Sequence, residues 1–174
     1  MSLRVFHPLG DPPGPWAMGQ RLRLEPDESR YLLRVRRAKV GAQLEVLDGA
    51  TAAWRAQLAE VDGKTAVVEL LDPRPAVREL PLILLLVVPE PRATLEALAR
   101  ASETGATAVH LIVGQHSPGS LPSPPRVAKT LRASQRQCGR PGPPQVGRPG
   151  TLQAALAQAQ SRPGFVASPA ARGR

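Results

Sequence analysis

The stretch RVAKTLRASQRQCGR, residues 126–140, carries five cationic side chains and no acidic one. At 100° per residue, Arg126, Lys129, Arg132, Arg136 and Arg140 fall within about 120° of one another on a helix. Val127, Leu131, Ser134 and Cys138 take the opposite side. One helix would then bury a narrow apolar stripe and present a row of cations. Like charges at i, i+3 and i+4 repel by a few tenths of a kcal/mol per pair. A phosphate backbone would remove that repulsion, so the row reads as a grip on nucleic acid. The alternative is a plain solvated face, although such faces usually mix signs. A second row, Arg30, Arg34, Arg36 and Arg37, lies in RYLLRVRR (30–37), where Asp27, Glu28, Glu45 and Asp48 stand close enough in sequence to neutralise it.

Other chemistry is thinly supplied. His116 follows a predicted strand, where sites gather in α/β folds, and is a candidate substrate contact. His110 falls mid-strand and reads as a packing residue. Cys138 lies on the proposed apolar stripe and reads as an inert core thiol. His7, His110 and His116 are too far apart in sequence, with a single cysteine, to suggest a metal site. There is no Gly-x-Ser-x-Gly elbow, no P-loop and no Gly-x-Gly-x-x-Gly after a strand.

Charge is distributed unevenly over the 174 residues. Residues 1–103 carry 14 positive and 14 negative side chains, whereas residues 104–174 carry nine positive and none negative. A field of one sign attracts polyanions, RNA or DNA foremost. Coding bias toward GC explains 20 Arg against 3 Lys, but not the loss of every acid after Glu103. With five aromatic residues the core must be aliphatic, and platforms for base stacking are scarce. One cysteine, no signal peptide and no apolar run long enough to span a bilayer point to a soluble, cytoplasmic protein without membrane contact.

The elements that must position these residues divide into two groups. In residues 1–73 the runs 21–26, 42–49, 52–64 and 65–72 read as short antiparallel strands, with Asp62-Gly63 as a hairpin turn. A helix near 26–35, capped by Asp27, interrupts them, and together they predict a small β-barrel. Residues 73–80 read as a linker. From 80 onward the pattern becomes strand–helix alternation, an α/β layer with a parallel sheet. The aliphatic run 80–89 is predicted to be a strand buried on both faces. A helix (92–105), a strand (107–114), the basic helix (123–139, opened by Ser123 and Pro124), a helix (151–160) and a strand (163–168) follow.

Three segments carry a family likeness. YLLRVRRAKVGAQLEVLDG (31–49) resembles the N-terminal domain of the bacterial small-subunit ribosomal RNA uridine-N3 methyltransferases, the E-type enzymes of the SPOUT superfamily. ARASETGATAVHLIVGQHS (99–117) and RASQRQCGRPGPPQV (132–146) are similar to two later segments of that family, in the same order. The resemblance implies a PUA-like β-barrel over 1–73 and the first part of a SPOUT-type α/β domain over 80–174. It implies S-adenosylmethionine as cofactor, ribosomal RNA or the small ribosomal subunit as partner, and a homodimer. The family's Gly-Pro-Glu-Gly-Gly loop and its later Leu-Arg-x-Glu-Thr-Ala segment are absent. The knot that holds cofactor and dimer is therefore expected to be missing after Arg174, with no cofactor-binding residue in this chain. Ala133, Thr104 and Gln145 depart from the family pattern, whereas Gln137, Gly139 and Arg140 keep it. Together with Arg4 in the basic start RVF, the expected RNA contacts are Arg4, Arg34, Arg36, Arg37, Arg126, Lys129, Arg132, Arg136, Gln137 and Arg140. A basic RNA-binding module without catalysis, or a remnant without function, are the alternatives.

Overall fold

In the computed structural model, which describes residues 3–7, 15–75, 81–117, 120–159 and 163–165, five strands form a first sheet. They are β1 (Arg4–Phe6), β2 (Arg21–Arg23), β3 (Gln43–Leu47), β4 (Ala53–Asp62) and β5 (Thr65–Pro73), in the order β1-β3-β4-β5-β2. Alternation decides which side chains face inward: Val5, Leu22, Val46, Leu58, Val68 and Leu70 come from all five strands and share one buried cluster. The β4–β5 hairpin turns at Gly63, whose φ of 61° is the left-handed value a tight turn requires. Two bulges along this hairpin bend the sheet.

Helix α1 (Pro26–Arg30) bridges the edges of that sheet. Ser29 is fully buried; its hydroxyl donates to the Leu24 carbonyl (3.0 Å) and accepts from the Ala66 amide (3.1 Å). Glu28 accepts from the Phe6 amide (3.1 Å) on the opposite edge strand. Asp27, expected to cap the helix, does not; the N-cap position is Glu25, and its side chain makes no capping bond. The helix does not run on regularly to 35 either. It widens into a π-helical turn, Tyr31–Val35, closed by the Arg36 amide on the Tyr31 carbonyl (2.9 Å).

The second sheet is parallel throughout, β6 (Leu82–Val87), β7 (Ala106–Ile112) and β8 (Gln145–Val146) in that order. Helices α2 (Pro91–Glu103) and α3 (Pro124–Cys138) pack on each other, with Leu98, Ala101, Val109 and Leu131 in one buried cluster. Helix α4 (Leu152–Ala159) rests on β6 and β7. Two expectations fail here. The aliphatic run is not buried on both faces: β6 is an edge strand, with Leu82 51% and Val87 58% exposed. The third strand of this sheet is β8; of the strand expected at 163–168, residues 163–165 are irregular and 166–168 lie outside the described residues. Residues 76–80 of the expected linker also lie outside them. No helix among the described residues is long and apolar enough to cross a membrane.

Candidate RNA interface

Helix α3 is amphipathic as its spacing predicts, but its cations are used in two ways. Leu131, Ser134 and Gln135 are buried, and the Ser134 hydroxyl donates to the Ala99 carbonyl of α2 (3.1 Å). Arg126, Lys129, Arg132 and Gln137 are exposed. Among the described residues no carboxylate pairs with the first three. Arg136 is different. Its Nη2 donates to Glu28 Oε1 at 2.6 Å, and its guanidinium lies over the rings of Tyr31 (4.2 Å) and Phe6 (5.4 Å). Arg140, expected on the same helical row, lies beyond the helix. Gly139, at φ 81°, ends α3 in the left-handed conformation, and Arg140 Nη1 turns to the carbonyls of Ser102 (3.0 Å) and Ala106 (2.8 Å).

Arg4 is a joint as well. Its Nε donates to Glu45 (2.6 Å), and its Nη1 donates to the carbonyls of Arg136 (3.1 Å) and Gln137 (2.7 Å). A cation thus meets the unsatisfied, partly negative end of α3. Arg74 bridges Glu45 and the Gly139 carbonyl. Two glycines permit this closeness. A Cβ at Gly139 would stand 2.8 Å from the Arg4 guanidinium, and one at Gly142 would collide with the Ala50 carbonyl. The segment RQCGRPG (136–142) therefore clamps the first sheet to the second layer.

The clamp also joins the two basic rows. Arg34, Arg36 and Arg37 are exposed on and after the π-helical turn, and Tyr31, one turn before Arg34, lies under Arg136. Arg132, one turn before Arg136, lies over Phe6 at 4.8 Å. Arg37 takes a left-handed φ of 52°, uncommon for a side chain of its size. Three of the four acids that sequence proximity suggested as neutralisers are engaged elsewhere: Glu28 by Phe6 and Arg136, Glu45 by Arg4 and Arg74, and Asp48 by the amides of Ala50 and Thr51.

A groove opens on each side of the clamp. One, of about 1000 Å³, is lined by Trp54, Arg74, Cys138 and Arg140. The other, of about 900 Å³, is lined by Phe6, Asp48, Val127, Leu131 and Arg132. Cys138 is half-buried at the first groove and not in the core, with its thiol toward the Gln135 carbonyl (3.9 Å). His116 is exposed in the turn after β7, and His110 is half-buried in mid-strand. Burial lowers the pKa of His7, against the opposing charge of Glu25. Sequence reasoning named Glu28, Glu45 and Asp48 only as neutralisers of the second basic row, and it missed Gly142. The Gly and Pro density of 139–144 was the available signal for a close approach.

Residues 24–71 match a PUA domain of RNA methyltransferases, and residues 77–173, more than half of the chain, match the RNA methyltransferase domain. The chain belongs to the RNA methyltransferase family. Among solved structures, this family member is similar to a Legionella pneumophila protein assigned as a methyltransferase and solved with its cofactor SAM, at 21% identity and TM-score 0.75, over 98% of this chain and 72% of that one. The ribosomal RNA small subunit methyltransferase E of Neisseria gonorrhoeae, bound to S-adenosylmethionine, is similar at 20% identity and TM-score 0.75, over 92% of this chain and 67% of that one. A candidate rRNA methyltransferase of Porphyromonas gingivalis matches at 22% identity and TM-score 0.66, over 76% and 57%. These likenesses show a shared fold. No curated protein matches the sequence.

The described residues of this methyltransferase-family chain do not build a cradle for that cofactor. At the carboxyl ends of β7 and β8 the backbone donors serve the protein itself: Val113 to the Gly150 carbonyl, Gly150 to Leu111, Gly147 to Val109, and Gly114 to the Ser117 hydroxyl. No carboxylate lies in 106–117 or 145–151 to hold ribose hydroxyls. Nor do three His, Cys, Asp or Glu side chains gather as a metal site among the described residues.

Proposed function

We propose that the protein acts on ribosomal RNA of the small subunit, in the cytoplasm, as a uridine-N3 methyltransferase with S-adenosylmethionine as methyl donor. The carrying observation is the clamp at Arg136, which joins the elements bearing both rows of exposed cations. A phosphate chain running along α3 and the π-helical turn would meet Arg126, Lys129, Arg132, Arg34, Arg36 and Arg37. Residues 1–73 and 80–174 act as two units of one RNA-binding surface. The roles divide by geometry: exposed cations and Gln137 face the RNA, while Arg4, Arg136 and Arg140 hold the units in register. His116, exposed at the end of β7, stands where it can touch substrate. In this reading S-adenosylmethionine is the methyl source, and the exposed cations of this chain bind the RNA. The family reading adds a homodimer.

A second reading is an RNA-binding module that does not itself transfer methyl groups; the exposed Arg126, Lys129 and Arg132, paired with no carboxylate among the described residues, serve it without a cofactor. Incubating the protein with tritiated S-adenosylmethionine and small subunits lacking the modification separates the two. Label on a uridine establishes the enzyme. Binding to the subunit without label, under conditions where the Neisseria gonorrhoeae protein transfers it, establishes the module. Absence of both would remove RNA as the partner.

A further inference from the structure

Strand β6 has β7 on one side and, among the described residues, no strand on the other. An open edge presents a row of unpaired backbone N–H and C=O groups to any other chain. Folded proteins usually guard such an edge with a charge, a proline or a bulge. Here Leu82–Val87 reads LILLLV, without charge or proline, and its one irregularity of register falls at the start, between Leu82 and Ile83. Every residue of the strand is at least partly exposed. Helix α4 continues this surface. It rests equally on β6 and β7 and buries Ala155, yet Leu152 and Leu156, one turn apart, are half-exposed. So are Val87 and Val113, at the carboxyl ends of β6 and β7. On a chain of net charge +9, no Asp, Glu, Lys or Arg occurs in 80–89, 104–125 or 149–161.

We propose that this face takes a second copy of the chain, β6 pairing antiparallel with β6 about a two-fold axis. The proposal deepens the homodimer of the reading above by naming its surface, and it does not rest on RNA binding. Charge favours a copy here, because two strongly cationic chains meet at least cost where neither carries a charge. Sequence favours it too. Whether the axis passes beside Leu84 or beside Leu85, every residue of the paired strands opposes an aliphatic one. Geometry then brings in the helix. Such an axis stands perpendicular to the sheet and keeps its faces, so α4 and its mate lie on one face. Strands are spaced about 4.8 Å apart, and a helix seated between β6 and β7 stands one spacing from the axis. The two α4 helices are then about 9.6 Å apart, within the roughly 8–10 Å at which helices pack. The strand edge and the bare leucines are satisfied by one operation. Pairing also uses up the open edge of β6, so the assembly closes at two. Six residues of β6 and eight of α4 are fewer than the roughly 20–30 a side of a standard interface, so the pair should be reversible at micromolar concentration.

Sedimentation velocity on the full chain, over about a hundredfold range of concentration around the micromolar, tests this in salt that screens the net charge. The wild-type protein should pass from one chain to two. Val87→Lys and Leu156→Lys should each weaken the association about tenfold or more, because each places an ammonium in the apolar joint. Both side chains are half-exposed in the single chain, so the melting temperature at the dilute end should not move. Leu156→Lys, on a helix surface, keeps the test valid should Val87→Lys impair folding of the sheet. Val35→Lys, an exposed apolar position on the π-helical turn, adds the same charge elsewhere and should leave association unchanged. A wild-type protein that stays a single chain throughout overturns the surface and the homodimer together. A dimer that survives either β6 or α4 lysine with its affinity intact overturns this surface and leaves the homodimer to another. Equal weakening by Val35→Lys, or growth past two chains, also overturns the proposal.

Discussion

At the start of α3, Arg126, Lys129 and Arg132 are exposed with no carboxylate pairing with them, among the described residues. At its end, Arg136 lies on Tyr31 and pairs with Glu28, and Arg140 bonds the carbonyls of Ser102 and Ala106. Both ends carry long cationic side chains at i, i+3 or i+4 spacing. The difference is set by Glu28, 108 residues earlier in the chain, and by a glycine that turns Arg140 off the helical row. A run of like charges is therefore not one functional unit. The part that meets a protein carboxylate contributes stability and geometry, and the part that meets solvent is available to a polyanion.

That contrast can be broken by substitution. The largest effect should come from Glu28→Ala, which strands Arg136 in a partly buried site and removes the acceptor of the Phe6 amide. Breaking a buried pair costs about 3–5 kcal/mol. Because the Arg136 side chain is 23% exposed, water screens part of this, and a loss of about 2–4 kcal/mol in urea unfolding is expected. Arg126→Ala in the same assay should change almost nothing. Equal losses from the two would erase the distinction between the helix ends.

Gly142→Ala should come next, because its methyl group must displace the Ala50 carbonyl across the clamp. Overpacking of this kind costs about 1–3 kcal/mol. Gly150→Ala, whose Cβ would meet only the Arg148 carbonyl at 4.0 Å, is the matched control and should stay within about 0.5 kcal/mol. A loss at Gly150 as large as at Gly142 would mean that glycine itself, and not the contact between the halves, is being measured.

The smallest change in stability belongs to the triple variant Arg126→Ala, Lys129→Ala, Arg132→Ala, within about 0.5 kcal/mol. Its effect on RNA should be large instead. If all three meet phosphates, the slope of log K against log salt flattens by about 2–3 units, at roughly 0.7–0.9 per contact. An unchanged slope would take this helix out of the interface and leave the exposed cations as a solvated face.

Much of the fold was legible locally. Period-two alternation and Asp62-Gly63 announced the β4–β5 hairpin, and the aliphatic run 80–89 announced a parallel strand, because side-chain spacing reports directly on which face is covered. How completely it is covered is another matter: β6 lies at the edge of its sheet, and no local pattern records a neighbour strand's absence. The irregular course of 163–165, the described part of the strand expected at 163–168, has a related reason. β8 is only two residues, Gln145–Val146, too short to show a period, yet the parallel register beside β7 selects it. In the candidate site, Arg126, Lys129 and Arg132 were legible as exposed cations, whereas Arg4, Arg136 and Arg140 were not legible as joints. Their partners are carboxylates and carbonyls distant in sequence.

By itself the amino-acid order determined the family, the two kinds of sheet, the one-sided charge of residues 104–174 and the amphipathic basic helix. All of these follow from composition, spacing and motif, which are local or additive. Only the tertiary structure decided which arginines are spent on the protein and which remain for a ligand, and only it left β6 at the edge of its sheet. Ion pairs and strand neighbours depend on distances of a few ångströms between residues far apart in the chain, and folding alone sets those distances.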